Sequence, residues 1–416
     1  MNLRKQILTD GARLAALVEA SPEVGALREN LASHLVFQDI RSQSCQPRRV
    51  RLRKDLGRIH SPAKVSDPEL RGEVAPTLRT MRAMSRDLAI DLGTANTLVY
   101  AQGRGIVFNE PTVIALNTRT REVLAMGDEA WNMIGRTPSY IVAVRPIRQG
   151  AITDFEITER MLQVLLKRVG VGKLNRPRVL ISVPSAITRI ERRAVKQAAR
   201  RAGASSCYLI EQPMAAAIGV GLPVAEPMGS MVVDIGGGTS EMAVISLGGV
   251  VSLRAIRCGG FDLDASIQTY VRRRHGVAIG ERTAEAVKLA IGSAEVFEGE
   301  QDVEIRGREV ATGVPRTVIL KPSEVRDAIE DDVEQILTTA TKCLGEAPPE
   351  LAQDIIFQGV HLVGGGSLLR GIAGRLAEST AVPVNVVDAP LECVAIGAGQ
   401  CLEYFDKHAK LFATDT

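Results

Sequence analysis

Asp87-Leu88-Ala89-Ile90-Asp91-Leu92-Gly93-Thr94-Ala95-Asn96-Thr97-Leu98-Val99-Tyr100 is the stretch on which the fold turns. Leu88-Ala89-Ile90 and Thr97-Leu98-Val99-Tyr100 read as two strands, with Gly93 in the turn between them. The pattern returns at Ser230-Met231-Val232-Val233-Asp234-Ile235-Gly236-Gly237-Gly238-Thr239, which a second strand over 241–246 follows. Each copy is an apolar strand, then Asp-apolar-Gly, then a small hydroxyl residue in the turn, then another strand. Such self-similarity predicts two related halves. At 45% hydrophobic but only 3% aromatic, with 38 glycines in 416 residues, the cores must rest on Ala, Val, Ile and Leu. That composition suits a layered α/β architecture.

Outward from these two stretches the elements alternate. Residues 157–168 read as a helix with Ile157, Met161 and Leu165 on one face and Gly170 beyond its end. Arg178-Val179-Leu180-Ile181-Ser182-Val183 is a buried strand stopped by Pro184. A basic amphipathic helix over 186–202 ends at Gly203, a short strand occupies 206–210, and Pro213 opens a helix of small residues. The second half continues with a helix near 282–292, an insert near 295–320, a helix opened by Ser323, the strand Val360-His361-Leu362-Val363, the turn Gly364-Gly365-Gly366-Ser367, and a last helix near 392–405.

A carboxylate at the end of a buried strand, followed by Gly, is suited to phosphate chemistry. The glycine lets a phosphate approach the backbone, and successive turn N–H groups can point at it. The carboxylate reaches the phosphate favourably only through a cation such as Mg²⁺, usually by way of its bound waters. One Asp-x-Gly is a common turn. Two of them, each beginning a half, would clamp a triphosphate from both sides. The third cluster, Gly364-Gly365-Gly366, offers a flat backbone surface for a base, or a plain turn. No Gly-Lys-Ser/Thr follows it, so it is not a Walker A loop, and no kinase catalytic-loop set is present.

Other chemistries find little support. The cysteines (Cys45, Cys207, Cys258, Cys343, Cys393, Cys401) form no CxxC pair, and the five histidines do not cluster, so zinc and histidine-based catalysis are not expected. No apolar run reaches the roughly 18–20 residues that span a bilayer. Residues 1–84 hold 15 Lys and Arg against 9 Asp and Glu, and the rest of the chain is net −3. The body therefore presents no nucleic-acid surface. The segment 1–84 reads as a basic, disordered extension. It is either a tail that meets anionic membrane or, the favoured reading, a leader ahead of a start at Met84.

In these residues the chain resembles the actin, sugar-kinase and DnaK-type chaperone superfamily. The stretches beginning at Asp91, Asp234 and Val363 are similar to its two phosphate motifs and its adenosine motif. Gly150-Ala151-Ile152-Thr153-Asp154-Phe155 and Ala395-Ile396-Gly397-Ala398-Gly399 are similar to its hinge motifs. Asp91-Leu92-Gly93-Thr94-Ala95-Asn96-Thr97, Pro213-Met214-Ala215-Ala216-Ala217-Ile218-Gly219, Glu191-Arg192-Arg193-Ala194 and Gly280-Glu281-Arg282-Thr283-Ala284-Glu285 resemble the MreB family of bacterial actins, over about 86–405. The resemblance implies an actin-like ATPase fold of two lobes around a nucleotide cleft. A first lobe would cover 85–225, with a small subdomain about 115–150. A second would cover 226–405, with a small subdomain about 261–320, and 406–416 would be a tail.

The resemblance also implies ATP and Mg²⁺ as cofactors. Asp91 and Asp234 would hold the water-coordinated metal. Gly93, Thr94, Ala95, Asn96, Gly236, Gly237, Gly238 and Thr239 would cradle phosphates. Glu285 and Lys288 would reach the ribose and adenine side, and Gly364, Gly365, Gly366 and Ser367 would lie at the base. The implied function is a cytoskeletal ATPase: homopolymeric filaments in the cytoplasm, peripheral at the inner face of the cell membrane, working with cell-wall elongation proteins to keep a rod shape. One departure bears on hydrolysis. The family carries two glutamates before the proline where this chain has Glu211-Gln212-Pro213. Gln212 can orient water, as the glutamine of actin does, but cannot accept a proton, so hydrolysis is expected to be slow unless Glu211 or Thr239 compensates. A second is Ala286, where the family carries Arg. The family's membrane loop matches 169–176, with Val171 and Leu174 as the apolar candidates. The competing readings are a small-molecule kinase, a DnaK-type chaperone and a monomeric nucleotide-binding scaffold. The chaperone would need a β-rich domain after the ATPase.

Overall fold

The computed structural model describes residues 87–172 and 176–412. The readings of 1–84 and the Leu174 candidate lie outside them. In chain order the strands are β1 (Leu88–Leu92), β2 (Asn96–Ala101), β3 (Gly105–Pro111), β4 (Ile114–Asn117), β5 (Val123–Met126), β6 (Ile141–Val144), β7 (Ile147–Arg148), β8 (Ala151–Ile152), β9 (Arg178–Val183), β10 (Ser206–Glu211), β11 (Ser230–Ile235), β12 (Ser240–Ser246), β13 (Gly249–Ile256), β14 (Val277–Ala278), β15 (Val303–Glu309), β16 (Pro315–Leu320), β17 (Val360–Val363) and β18 (Val384–Val386). The helices are α1 (Asp128–Met133), α2 (Phe155–Arg168), α3 (Arg189–Ala202), α4 (Gln212–Val220), α5 (Gly260–His275), α6 (Glu281–Ile291), α7 (Pro322–Gly345), α8 (Pro349–Gln358), α9 (Ile372–Thr380), α10 (Cys393–Glu403) and α11 (Phe405–His408).

Two five-stranded sheets carry the fold, in the orders β3-β2-β1-β9-β10 and β13-β12-β11-β17-β18. In both, an antiparallel meander of three strands is extended by two parallel ones. The registers repeat as well. Asp91 sits opposite Leu98 and beside Ser182, and Asp234 sits opposite Glu241 and beside Val363. The internal repeat of the sequence is thus a repeat of topology. The interior strands β1 and β12 are buried throughout, as strands covered on both faces must be.

Each sheet packs its outer face on its own helices. Leu162, Leu165 and Leu166 of α2 meet Ile90 and Ile181 in one cluster. Ile329, Val333 and Ile336 of α7 meet Val233 and Met242 in the other. Each fully buried aliphatic side chain of this kind contributes roughly 1.5–3 kcal/mol. The inner faces share a third cluster, in which Ala89 and Leu180 of one sheet and Val232 and Val363 of the other enclose α4 and α10. These two helices touch backbone to backbone. A Cβ on Gly219 would fall 2.0 Å from the Cys393 carbonyl oxygen, and one on Gly397 would fall 1.9 Å from that of Ala215.

Two expectations change in detail. The helix expected over 186–202 begins at Arg189, because Thr188 caps it. The Thr188 hydroxyl accepts the Glu191 N–H at 3.2 Å, and the Glu191 carboxylate accepts the Thr188 N–H at 2.9 Å, a capping box. The insert near 295–320 contains a hairpin, β15–β16, that pairs with β14.

Candidate functional site

The two strand-turn devices face each other across a cavity of about 490 Å³, within the range of small-molecule sites. Asp91 and Asp234 lie on its floor. The turns after them, including Gly93, Thr94, Ala95, Asn96, Gly236, Gly237 and Thr239, form its walls. One rim is made by Glu285 and Lys288 of α6. The other is the glycine turn after β17 with Leu368, Leu369 and Leu391. Gly364 adopts φ +79°, and a Cβ there would lie 2.3 Å from Asp234 Oδ1, so the residue after β17 must be glycine for both conformation and space.

Burial governs the electrostatics of the floor. Asp91 is 8% exposed. It accepts the Ser182 hydroxyl at 2.5 Å and the Gln212 Nε2 at 3.3 Å. Desolvation outweighs these bonds and holds its carboxyl above the usual range. Desolvation, followed by the charges of Glu241 and Asp91, pushes Asp234 up to about 8. Glu241, 2% exposed, sits opposite Asp234 and accepts the Ser185 N–H at 3.2 and 3.1 Å. Burial pushes it up to about 7. The principal charges acting on Asp234 are therefore both negative, a donor set that fits a cation. Among the described residues no three His, Cys, Asp or Glu side chains come close enough to hold a metal by themselves. A cation here would complete its shell with phosphate and water oxygens, which suits Mg²⁺.

The remaining expected residues fall as follows. Gln212 and Thr239 line the cavity. Glu211 instead stands at the N-cap position of α4 without a capping hydrogen bond, its carboxylate paired with Arg192 Nη2 at 3.1 Å. Lys288 lies at the rim, but its ammonium is held by the Gly260 carbonyl and Asp264 Oδ1, both at 2.8 Å. Gly238 packs on the Gln149 backbone. Ser367 is buried and donates to the Gly364 carbonyl at 2.6 Å, bracing the turn from behind. Val171 is half-buried against the first core. Glu241 was missed in the sequence. Its signal is a lone carboxylate inside the apolar run 240–246.

Comparison with known proteins agrees with this geometry. The family model described as MreB/Mbl protein matches residues 85–410. The cell shape-determining protein MreB of Escherichia coli (strain K12) is 49% identical over 338 residues, which are 80% of this chain and 97% of that protein. The cell shape-determining protein Mbl of Bacillus subtilis (strain 168) is 45% identical over 327 residues, 78% of this chain and 98% of that one. Among solved structures, MreB5 of Spiroplasma citri bound to ADP superposes with a TM-score of 0.75 at 34% identity, covering 79% of this chain and 99% of that one. A MamK double helical filament, at 22% identity and TM-score 0.66, shares the fold. Duplicated sheets, paired aspartates at matching strand ends and near-complete coverage of such relatives lead to one statement: this chain belongs to the MreB/Mbl family and has the actin-like fold.

Proposed function

We propose that this chain binds ATP with Mg²⁺ in the cleft and assembles with itself into actin-like filaments that determine cell shape. The observation that carries the reading is the pair Asp91 and Asp234, the one buried and the other partly buried, at equivalent strand ends and facing one cavity between glycine turns. It is supported by relatives named for cell shape and by MreB5 structures bound to ADP and to AMPPNP. The finer parts of the proposal are a place at the inner face of the cytoplasmic membrane and cell-wall elongation proteins as partners. The place we propose is peripheral, and no described helix is long and apolar enough to cross a membrane.

In this reading turn N–H groups of residues 93–96 and 237–239 would hold phosphate oxygens, while the Gly236 N–H closes its own turn on the Thr239 carbonyl at 2.9 Å, and Asp91 and Asp234 would hold the cation. Mg²⁺, when bound, supplies the positive charge that the two carboxylates and the phosphates require. The Gln212 amide nitrogen is committed to Asp91, which leaves its carbonyl oxygen to accept a hydrogen bond from a water and orient it toward the terminal phosphoryl. Gln212 takes no proton, so turnover is slow and positioning does most of the work. The test is electron microscopy of the full chain on an anionic lipid monolayer, with and without Mg²⁺ and ATP. Nucleotide-dependent filaments on the lipid are expected. A protein that binds ATP yet stays monomeric at filament-forming concentrations would overturn the polymer reading and leave the scaffold.

A further inference from the structure

We propose that Arg145, which lies outside the nucleotide cavity, is a positioning residue that clasps the two lobes together and so holds α6 and Phe261 against the bound nucleotide. The proposal rests on the nucleotide reading above. Arg145 follows β6 in the first lobe, and its side chain is only 10% exposed. Its guanidinium lies over the Trp131 ring of its own lobe at 4.9 Å and over the Phe261 ring of the second lobe at 4.2 Å. Its Nη1 reaches Glu281 Oε2 of the second lobe at 3.2 Å. Arg282 answers from the other side, over the Trp131 ring at 5.8 Å and with Nη1 3.5 Å from the Asn132 carbonyl oxygen.

The second-lobe ends of this clasp belong to the nucleotide cavity. Phe261 lines it directly. Glu281 is the first residue of α6, whose Glu285 and Lys288 form the rim one and two turns later. A cation between two ring faces is attracted to both, and more strongly where water is excluded. The half-exposed Glu281 adds direction more than strength. The arginine fork can stack and pair at once, which a lysine ammonium cannot. If cleft closure and nucleotide binding are linked, releasing the clasp lowers the population of the competent closed state, and apparent affinity falls by the same fraction.

The test uses the full chain. ATP affinity with Mg²⁺ is measured by calorimetry, and the accessibility of Trp131, the only tryptophan, by acrylamide quenching. Arg145→Ala is expected to weaken ATP binding by between two-fold and roughly ten-fold and to raise Trp131 quenching in the ATP-bound state. Arg145→Lys is expected to recover part of both. Glu281→Gln, a surface change that leaves both rings in place, is expected to move both readouts in the same direction by a smaller step. It carries the test if Arg145→Ala does not fold. Folded variants that bind ATP as tightly as wild type overturn the clasp, whatever their quenching. A wild-type chain that binds no ATP overturns the nucleotide reading instead, so the two failures are distinct.

Discussion

Replacing Asp234 by Asn removes a carboxylate whose ionised form the cleft disfavours by burial and by its acidic neighbours. Asp234 moves from 3.8 to about 8 in the folded chain. Its folded pKa is raised, so its contribution to stability is fully present below about 3.8 and is lost as pH rises toward about 8. Near pH 7 that loss is on the order of 4 kcal/mol. Asn keeps the shape and cannot ionise, and Glu241 opposite it is relieved of a like charge. Ligand-free Asp234→Asn is therefore expected to be the more stable protein near pH 7, by up to about 4 kcal/mol, or roughly 5 °C in Tm for a body of this size. The gap should shrink toward pH 5 and level off above about pH 8. Adding Mg²⁺ and ATP should reverse the order, because only the wild type keeps both carboxylates for the cation. Differential scanning fluorimetry across pH, with and without nucleotide, measures each part. An Asp234→Asn melt at or below wild type without ligand, or a gap that ignores pH, would refute the account of the floor.

Three further outcomes follow from the same cleft. Binding of Mg²⁺ and ATP near pH 7 should release protons, because Asp234 and Glu241 sit at about 8 and about 7 and a cation draws them down; calorimetry in two buffers of different ionisation enthalpy reads the release, and equal heats count against it. Gly364→Ala combines a positive φ with a Cβ 2.3 Å from Asp234 Oδ1, so a loss of about 3 kcal/mol or more in stability, with no measurable nucleotide binding, is expected by melting and calorimetry. Gln212→Glu restores a group that can take a proton. Phosphate release should rise by on the order of 10²-fold, while the ligand-free protein loses stability as a third carboxylate joins Asp91 and Asp234; an unchanged rate places the proton acceptor elsewhere.

Much of the fold was legible because its deciding features are local. The paired strands around Asp91 and Asp234 announce themselves through apolar runs that end in Asp-x-Gly, and the sheets they found repeat each other strand for strand. The start of α3 was also written in the sequence, as Thr188 and Glu191 three residues apart, but the expected boundary at 186 fell three residues too early. The hairpin β15–β16 was harder. Strand β15 alternates, but β16 opens with three exposed residues, and the outer face of β15 carries Glu304, Arg306 and Arg308, so the segment reads as an irregular insert until β14 pairs with it. In the cleft, turn residues were visible because glycine marks where backbone must come close. Glu241 was not, because its meaning depends on lying opposite Asp234 across a strand pair. The engagement of Lys288 by Asp264, and the stacking of Arg145 between Trp131 and Phe261, join residues far apart in the chain and leave no periodic trace.

The contact between α4 and α10 has a mechanical consequence. Helices that interlock through large side chains resist turning, since ridges must climb out of grooves before they can settle again. Here Gly219 meets Cys393 and Gly397 meets Ala215 with nothing but main chain between them, and Ala215, Ala216, Ala217 and Ala398 keep the neighbouring surface low. Two such smooth rods form a plain bearing. No ridge of side chains opposes a roll of one on the other, and the surrounding oil of aliphatic side chains is sealed from water. A single methyl group at Gly397, 1.9 Å from the Ala215 carbonyl oxygen, would prise the two rods apart and open that seal.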